Sequence, residues 1–140
     1  MNAACKPRTP GIARRLACML YDALLLFAVG FGATWVFYFA SGGRGSEGWA
    51  RSQLQLYLVA VFAAYFLWCW LRGGQTLAMK TWRIRLIAPA HDRVPPRAAL
   101  LRFALALVVV PTGIGLGWAL FDRERQFLHD RLAGTRLILV

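Results

Sequence analysis

Acidic residues are scarce in this chain of 140 residues, where six Asp and Glu stand against 17 Lys and Arg. In a soluble protein the resulting net charge of +11 would indicate a nucleic-acid partner. However, the sequence has no aromatic and basic recognition module, and 59% of its residues are hydrophobic. Because so little polar surface cannot wrap a soluble core, the composition predicts a membrane protein whose partner is the lipid bilayer and no nucleic acid.

Cysteine is sparse as well, and Cys5, Cys18 and Cys69 form no close pair. An odd and scattered set argues against a disulfide framework and against a cysteine metal site. Two of the three fall in apolar runs, so we interpret them as small buried hydrophobic side chains.

Catalytic constellations are also missing from the sequence. No nucleophile with a neighbouring base, metal cluster or phosphate cradle can be assembled from it. His129 and Asp130 have the residue types for metal binding or acid–base chemistry, but no third ligand stands at a useful spacing. We therefore predict no enzymatic activity, no cofactor and no metal.

Three long apolar segments cover residues 16–40, 54–71 and 98–121. At helical rise the first is long enough to cross a bilayer, and the second is near the minimum length. The first is too long for a signal peptide and no clear cleavage site follows it, so we interpret it as an uncleaved span. The third contains Pro111 and Gly113 near its centre, which predicts a kinked or broken helix.

The distribution of basic residues predicts the topology. Arginines and lysines precede the first segment and fill residues 72–97, so the positive-inside rule places the N-terminus and this second link in the cytoplasm. A full third span would put four arginines of the tail outside, against the rule. A re-entrant hairpin over residues 98–121 would return the tail to the cytoplasm, and we favour it over the full span that the length also allows.

Two short segments have strand character. Residues 82–87 alternate apolar and basic side chains, and residues 135–140 are β-prone and able to pair with them. The predicted fold is an all-α membrane protein, a small helical bundle with two full spans plus a third broken or re-entrant apolar segment. A short cytoplasmic two-stranded β element completes this single domain, residues 1–140.

Asp22 is the main functional candidate, because a carboxylate inside a span costs about 2.5–3.5 kcal/mol and is usually turned inward. Arg15 shares its helix face, about 20° from eclipsed. Both side chains lean toward the N-terminus, so we expect Arg15 to reach the headgroups and Asp22 to find a partner on another segment. Arg102 is the candidate counter-ion, and the alternative is that it snorkels to the headgroups.

Three further polar residues have a structural and a functional interpretation. Gln75 and Thr76 follow a glycine pair, so they could bind an anion or cap a helix. Asp130 could cap its own segment, or it could hold the tail by a charge-assisted bond to one of the cytoplasmic arginines.

Motifs in three regions together resemble those of one known family, the RDD family of bacterial membrane proteins. They are Arg15 with Asp22, Gly74-Gln75-Thr76-Leu77 with Met79-Lys80, and His129-Asp130-Arg131-Leu132-Ala133-Gly134-Thr135. The family is named for one arginine and two aspartates, which match Arg15, Asp22 and Asp130, whereas Ala78 departs from the glycine often found there. The resemblance implies a multi-pass protein of the bacterial inner membrane and suggests transport of ions or small ligands.

Two functions from different classes follow. One is transport, in which Asp22 binds a proton or a small cation. The other is a non-transporting assembly or accessory role, in which the basic cytoplasmic face docks a partner or anionic lipid. Three segments enclose little aqueous path, so we expect a transporter of this size to form a homo-oligomer. The lack of a second intramembrane acid is the feature that speaks most against transport.

Overall fold

The computed structural model describes residues 8–44, 47–89, 93–123 and 126–140. Its elements in chain order are α1 (Ile12–Ala40), α2 (Trp49–Gly73), α3 (Leu77–Thr81), β1 (Ile84–Ile87), α4 (Pro96–Thr112), α5 (Ile114–Phe121), α6 (Leu128–Leu132) and β2 (Arg136–Leu139). The fold is therefore mostly helical with one small sheet. The single-domain assignment stays a prediction.

The first two helices are long and apolar enough to cross a membrane. They have 29 and 25 residues, which correspond to about 44 and 38 Å at helical rise. Both begin several residues before the apolar runs in which we predicted them. The apolar run marks only the part of a helix that is suited to hydrocarbon. The backbone hydrogen bonds of a helix do not depend on apolar side chains, so α1 also includes Arg14, and α2 also includes Arg51, Ser52 and Gln53.

Helix α1 is inverted relative to a helix of a soluble protein. Its buried side chains are Arg15, Cys18 and Asp22, which follow one stripe at helical spacing. Its exposed side chains include Leu20, Phe27 and other large apolar residues. An apolar outer surface of this extent is suited to lipid contact, and the charged residues are kept inside.

The third apolar segment is broken, as predicted. Helix α4 ends at Thr112, just after Pro111, and Gly113 adopts the left-handed conformation with φ of +69°. Helix α5 then begins at Ile114 and packs against α4 and α6. The contact is close, because a Cβ built on Gly115 would lie 2.5 Å from the side chain of Val109.

The two strands pair in antiparallel fashion, with Ile84 opposite Leu139 and Ile87 opposite Arg136. The predicted strand pairing is thus confirmed, over four residues in each strand. Trp82 was expected on the apolar face of the first strand, and this expectation was wrong. The turn after α3 extends to Arg83, which has φ of +53°, so the strand starts only at Ile84.

The main core lies where α3 and the sheet pack onto the long helices. Its buried members are Cys18, Trp70, Ala78, Met79, Ile84, Leu86, Val94, Ala99, Phe103 and Leu137. Cys18 is buried as predicted, Cys69 is half-buried, and both are free thiols. Cys5 lies outside the described residues.

Gly74 connects α2 to the sheet and allows a test of this junction. It has φ of +65°, its carbonyl accepts a 2.7 Å hydrogen bond from the Leu86 amide, and an added Cβ would lie 2.6 Å from the Leu86 carbonyl oxygen. We expect Gly74→Ala to lower the free energy of unfolding by about 2 kcal/mol or more, because both the backbone strain and the clash act on folded protein.

The matched control is Gly73→Ala. Gly73 is the last residue of α2, and an added Cβ there would meet nothing within 4 Å. We expect this change to be neutral or to stabilise by up to about 1 kcal/mol. Unfolding in mixed detergent micelles measures both, and equal stability of the two variants would contradict the described geometry.

Candidate functional site

Asp22 finds its partner on another segment, as predicted. Its Oδ2 accepts a 3.0 Å hydrogen bond from the hydroxyl of Thr76, and Asp22 itself is nine-tenths buried. The Thr76 oxygen in turn accepts a 3.2 Å hydrogen bond from the Met79 amide, because Thr76 is the N-cap of α3. This cap holds the hydroxyl in place and directs its proton at Asp22.

The second oxygen of the Asp22 carboxylate lacks such a hydrogen bond among the described residues. Oδ1 of Asp22 is buried and has no hydrogen-bond partner among residues 8–44, 47–89, 93–123 and 126–140. Within the same ranges Asp22 also makes no salt bridge. Buried polar atoms without a partner are uncommon in folded proteins, and each calls for an explanation such as a catalytic role or a bound water or ion.

A buried ion pair lies nearby and joins α4 to α6. Nε of Arg102 donates to Oδ1 of Asp130 over 2.7 Å, and the two side chains are 7% and 1% exposed. The guanidinium of Arg102 also lies 4.4 Å from the ring centroid of Trp70, a cation–π distance. Asp130 thus holds the tail through a charge-assisted bond, as one of our two interpretations predicted, but its partner is Arg102 of the third apolar segment and not one of the cytoplasmic arginines.

His129 packs beside this pair. Its ring stacks on Phe127, with centroids 5.6 Å apart and planes 7° from parallel. The pKa of His129 is lowered to about 4, mainly because the ring is buried; the neighbouring Asp130 opposes this change, and the positive charge of Arg102 adds to it. The ring is therefore neutral near pH 7, and its 3.6 Å approach to Asp130 is not an ion pair there.

Arg15 does not reach out to the headgroups, so that expectation was wrong. Its side chain is 1% exposed, and its guanidinium carbon lies 5.9 Å from the ring centroid of Phe127. The tail segment that contains Phe127 and α6 covers the start of α1. The tail is distant from Arg15 in the sequence, so the helical pattern around Arg15 could not predict this contact.

A cavity of about 290 Å³ brings these residues together. Its polar lining residues are Arg15, Asp22, Arg102 and His129, and the rest of its wall is predominantly apolar and aromatic, from α1, α2, α4 and the segments beyond. Asp130 stands behind Arg102 and does not line the cavity. In the part of the chain that the structure describes, no group of three or more His, Cys, Asp and Glu could hold a metal ion.

Comparison with known proteins identifies the family of this chain. The model of the RDD family matches residues 9–134, which is most of the chain. The chain belongs to the RDD family. An uncharacterized protein of Rickettsia prowazekii (strain Madrid E) is 32% identical over 80 residues, which cover 57% of this chain and 45% of that relative. The chain therefore spans less than half the length of the curated relative it matches, and no solved structure matches it.

Arg15, Asp22 and Asp130, which match the arginine and the two aspartates in the name of the RDD family, are all buried around this site. Asp130 is bonded to Arg102, and Asp22 is bonded to Thr76. Arg102 was expected to be the counter-ion of Asp22 or to snorkel to the headgroups, and both expectations were wrong. The reason is α6, which carries Asp130 to within hydrogen-bond distance of Arg102, and sequence spacing does not reveal such a contact.

The glycine-pair motif of this RDD chain has a structural role. Thr76 caps α3, and Nε2 of Gln75 donates a 2.8 Å hydrogen bond to the Ile84 carbonyl. The cap interpretation is confirmed for Thr76, and both side chains are used within the protein.

Two site residues were missed at the sequence level. Trp70 lies at the end of the second apolar segment, where aromatic residues commonly form a belt at the membrane interface, yet it is 3% exposed and packs under Arg102. Phe127, 3% exposed, was assigned no role. An aromatic residue at the end of a span has the same local signature whether it faces lipid or core, so no sequence signal separates the two.

The Arg102–Asp130 pair can be tested by a double-mutant cycle. We expect Arg102→Met and Asp130→Asn each to lower the free energy of unfolding by about 3–5 kcal/mol, because each leaves a buried charge unpaired. The loss of unfolding free energy in the double variant should be clearly smaller than the sum of the losses in the two single variants.

The control cycle uses Arg131→Met and Asp122→Asn. These residues also form an ion pair, at 2.5 Å, but the Arg131 side chain is 60% exposed. We expect a coupling energy of at most about 1 kcal/mol there. If the coupling at Arg102 and Asp130 were as small as this, the buried pair would not be the tie that holds the tail.

Proposed function

We propose that this RDD protein moves protons or small cations across a bacterial inner membrane, with Asp22 as the intramembrane carboxylate that binds them. The observation that carries the proposal is Oδ1 of Asp22, which is buried, lies on a residue lining the cavity and lacks a hydrogen-bond partner among the described residues. Oδ2 of Asp130 is also buried without a partner among the described residues, but Asp130 is held by Arg102 and does not line the cavity, whereas Asp22 does. The proposed transport uses no cofactor and includes no enzymatic step.

The proposed topology has α1 and α2 as full spans and a cytoplasmic N-terminus. The chain then returns to the cytoplasm after α2, so β1 lies on that side. The pairing of β2 with β1 and the break at Gly113 support a re-entrant path for α4 and α5, since the segment between two paired strands would enter and leave on one side. This path also keeps the arginines of the tail inside, in accord with the positive-inside rule.

Two full spans and a re-entrant segment enclose little aqueous path, so the proposal includes a homo-oligomer. Its rival is a non-transporting accessory role. Exposed basic residues near the sheet end of the molecule, including Arg14, Arg83, Arg85 and Arg97, favour the docking of a partner or anionic lipid in that case. Flux measurements separate the two functions.

Reconstituted flux tests the role of Asp22. We expect proteoliposomes to show proton, sodium or potassium flux that falls at least tenfold in Asp22→Asn, because the amide keeps an acceptor for Thr76 but loses the charge. Glu47→Gln is the matched control, since Glu47 is exposed in the link between α1 and α2, and its flux should be unchanged. Absence of flux in the unmodified protein, or equal flux in both variants, would contradict transport through Asp22.

Thiol labelling tests the topology. In a background with Cys5, Cys18 and Cys69 replaced by serine, Ile138→Cys on β2 should react with an impermeant reagent only after the cells are opened. Arg44→Cys, exposed in the link after α1, should react in intact cells. Labelling at position 138 in intact cells would require a full third crossing and would overturn the re-entrant path.

A further inference from the structure

The cavity beside Asp22 is larger than a bare ion needs. Its volume is about 290 Å³, whereas a water molecule in the liquid takes about 30 Å³. This size is near the lower end of the range for small-molecule sites, roughly 300–1,000 Å³. The space therefore fits an organic ligand of modest size.

Apart from its charged and polar residues, the cavity has apolar walls. Beyond Asp22 they are formed by apolar side chains such as Leu26 on α1, Phe62 and Phe66 on α2, and Leu107 and Val110 on α4. Such side chains offer no hydrogen bonds to the water shell of an inorganic ion. They favour a ligand with an apolar body, and aromatic rings attract a cation that approaches their faces.

The charges around the cavity select the sign of the ligand. Arg102 is already matched by Asp130, so an anion bound at Arg102 would have to compete with a buried 2.7 Å bond. Asp22 makes no salt bridge within the described residues and keeps one oxygen unsatisfied. Arg15 lies about 10 Å from Asp22 along the axis of α1, on the side away from Leu26. A cation at Asp22 can therefore extend its apolar part toward Leu26 and Val110, away from both arginines.

We propose that this cavity binds a monovalent organic cation with an apolar body, whose ammonium group pairs with Oδ1 of Asp22. The inference rests on the proposed role of Asp22 as the cation-binding carboxylate, and it names the ligand class of that site. The Thr76 hydroxyl holds the other oxygen and orients the carboxylate. The apolar body lies between the cavity-lining side chains of α1 and α4 and contacts Phe62 and Phe66 of α2.

Binding of benzyltrimethylammonium to the full-length protein in detergent, followed by calorimetry, tests the inference. We expect saturable binding that weakens at least tenfold in Asp22→Asn and is unchanged in Glu47→Gln. Ala106→Phe is a second variant, because Ala106 lines the cavity on α4 and a larger side chain there should occlude it while leaving Asp22 in place. Thermal unfolding of each variant establishes that it is folded.

The neutral isostere neopentylbenzene, in which carbon replaces the charged nitrogen, is the ligand control. We expect it to bind at least tenfold more weakly than the cation. Equal binding of the isostere, undiminished binding to Asp22→Asn, or no saturable binding of benzyltrimethylammonium would overturn the inference.

The binding assay does not require transport, so the two proposals fail separately. Flux of protons or metal ions that depends on Asp22, without binding of benzyltrimethylammonium, would overturn the ligand class and leave the proposed function intact. Binding that depends on Asp22, without flux of any ion, would support the site and contradict transport.

Discussion

The buried ion pair between Arg102 and Asp130 is the interaction on which the site depends. It ties α6 to α4 with two charges that are almost fully removed from solvent, and it does so across a 28-residue separation. Because a single buried charge is far more costly than a matched pair, either partner alone would destabilise the arrangement. The tail is thereby held over the start of α1, where Phe127 packs near Arg15.

This tie makes the inversion of α1 possible. A helix that exposes Leu and Phe on its outer surface while burying Arg15 and Asp22 needs protein groups around its charged stripe. The tail supplies them for Arg15, and the capped start of α3 supplies the hydroxyl for Asp22. Oδ1 of Asp22 and Oδ2 of Asp130 remain without a partner among the described residues, and of these two residues only Asp22 lines the cavity. Asp22 thus makes a structural contact with Thr76 and is also the candidate functional residue of the cavity.

The small two-stranded sheet also helps to hold the site together. Pairing of β1 with β2 brings the chain beyond α5 back to the end of α2, and the Leu86 amide is bonded to the Gly74 carbonyl at that point. Leu86 and Leu137 are both buried in the core next to Trp70. Because Trp70 also packs against Arg102, the sheet, the second long helix and the ion pair form one continuous contact region.

Local features of the sequence determined much of this protein. The apolar runs predicted two long helices, Pro111 and Gly113 predicted the break, and alternation over residues 82–87 predicted a strand, because each depends on neighbouring residues alone. The cost of a carboxylate in a span likewise predicted that Asp22 faces inward. Only the tertiary structure decided that Arg102 pairs with Asp130 and not with Asp22, and that Arg15 and Trp70 are buried. Those outcomes depend on where α6 and the sheet dock, and contacts between distant segments leave no periodic pattern in the sequence.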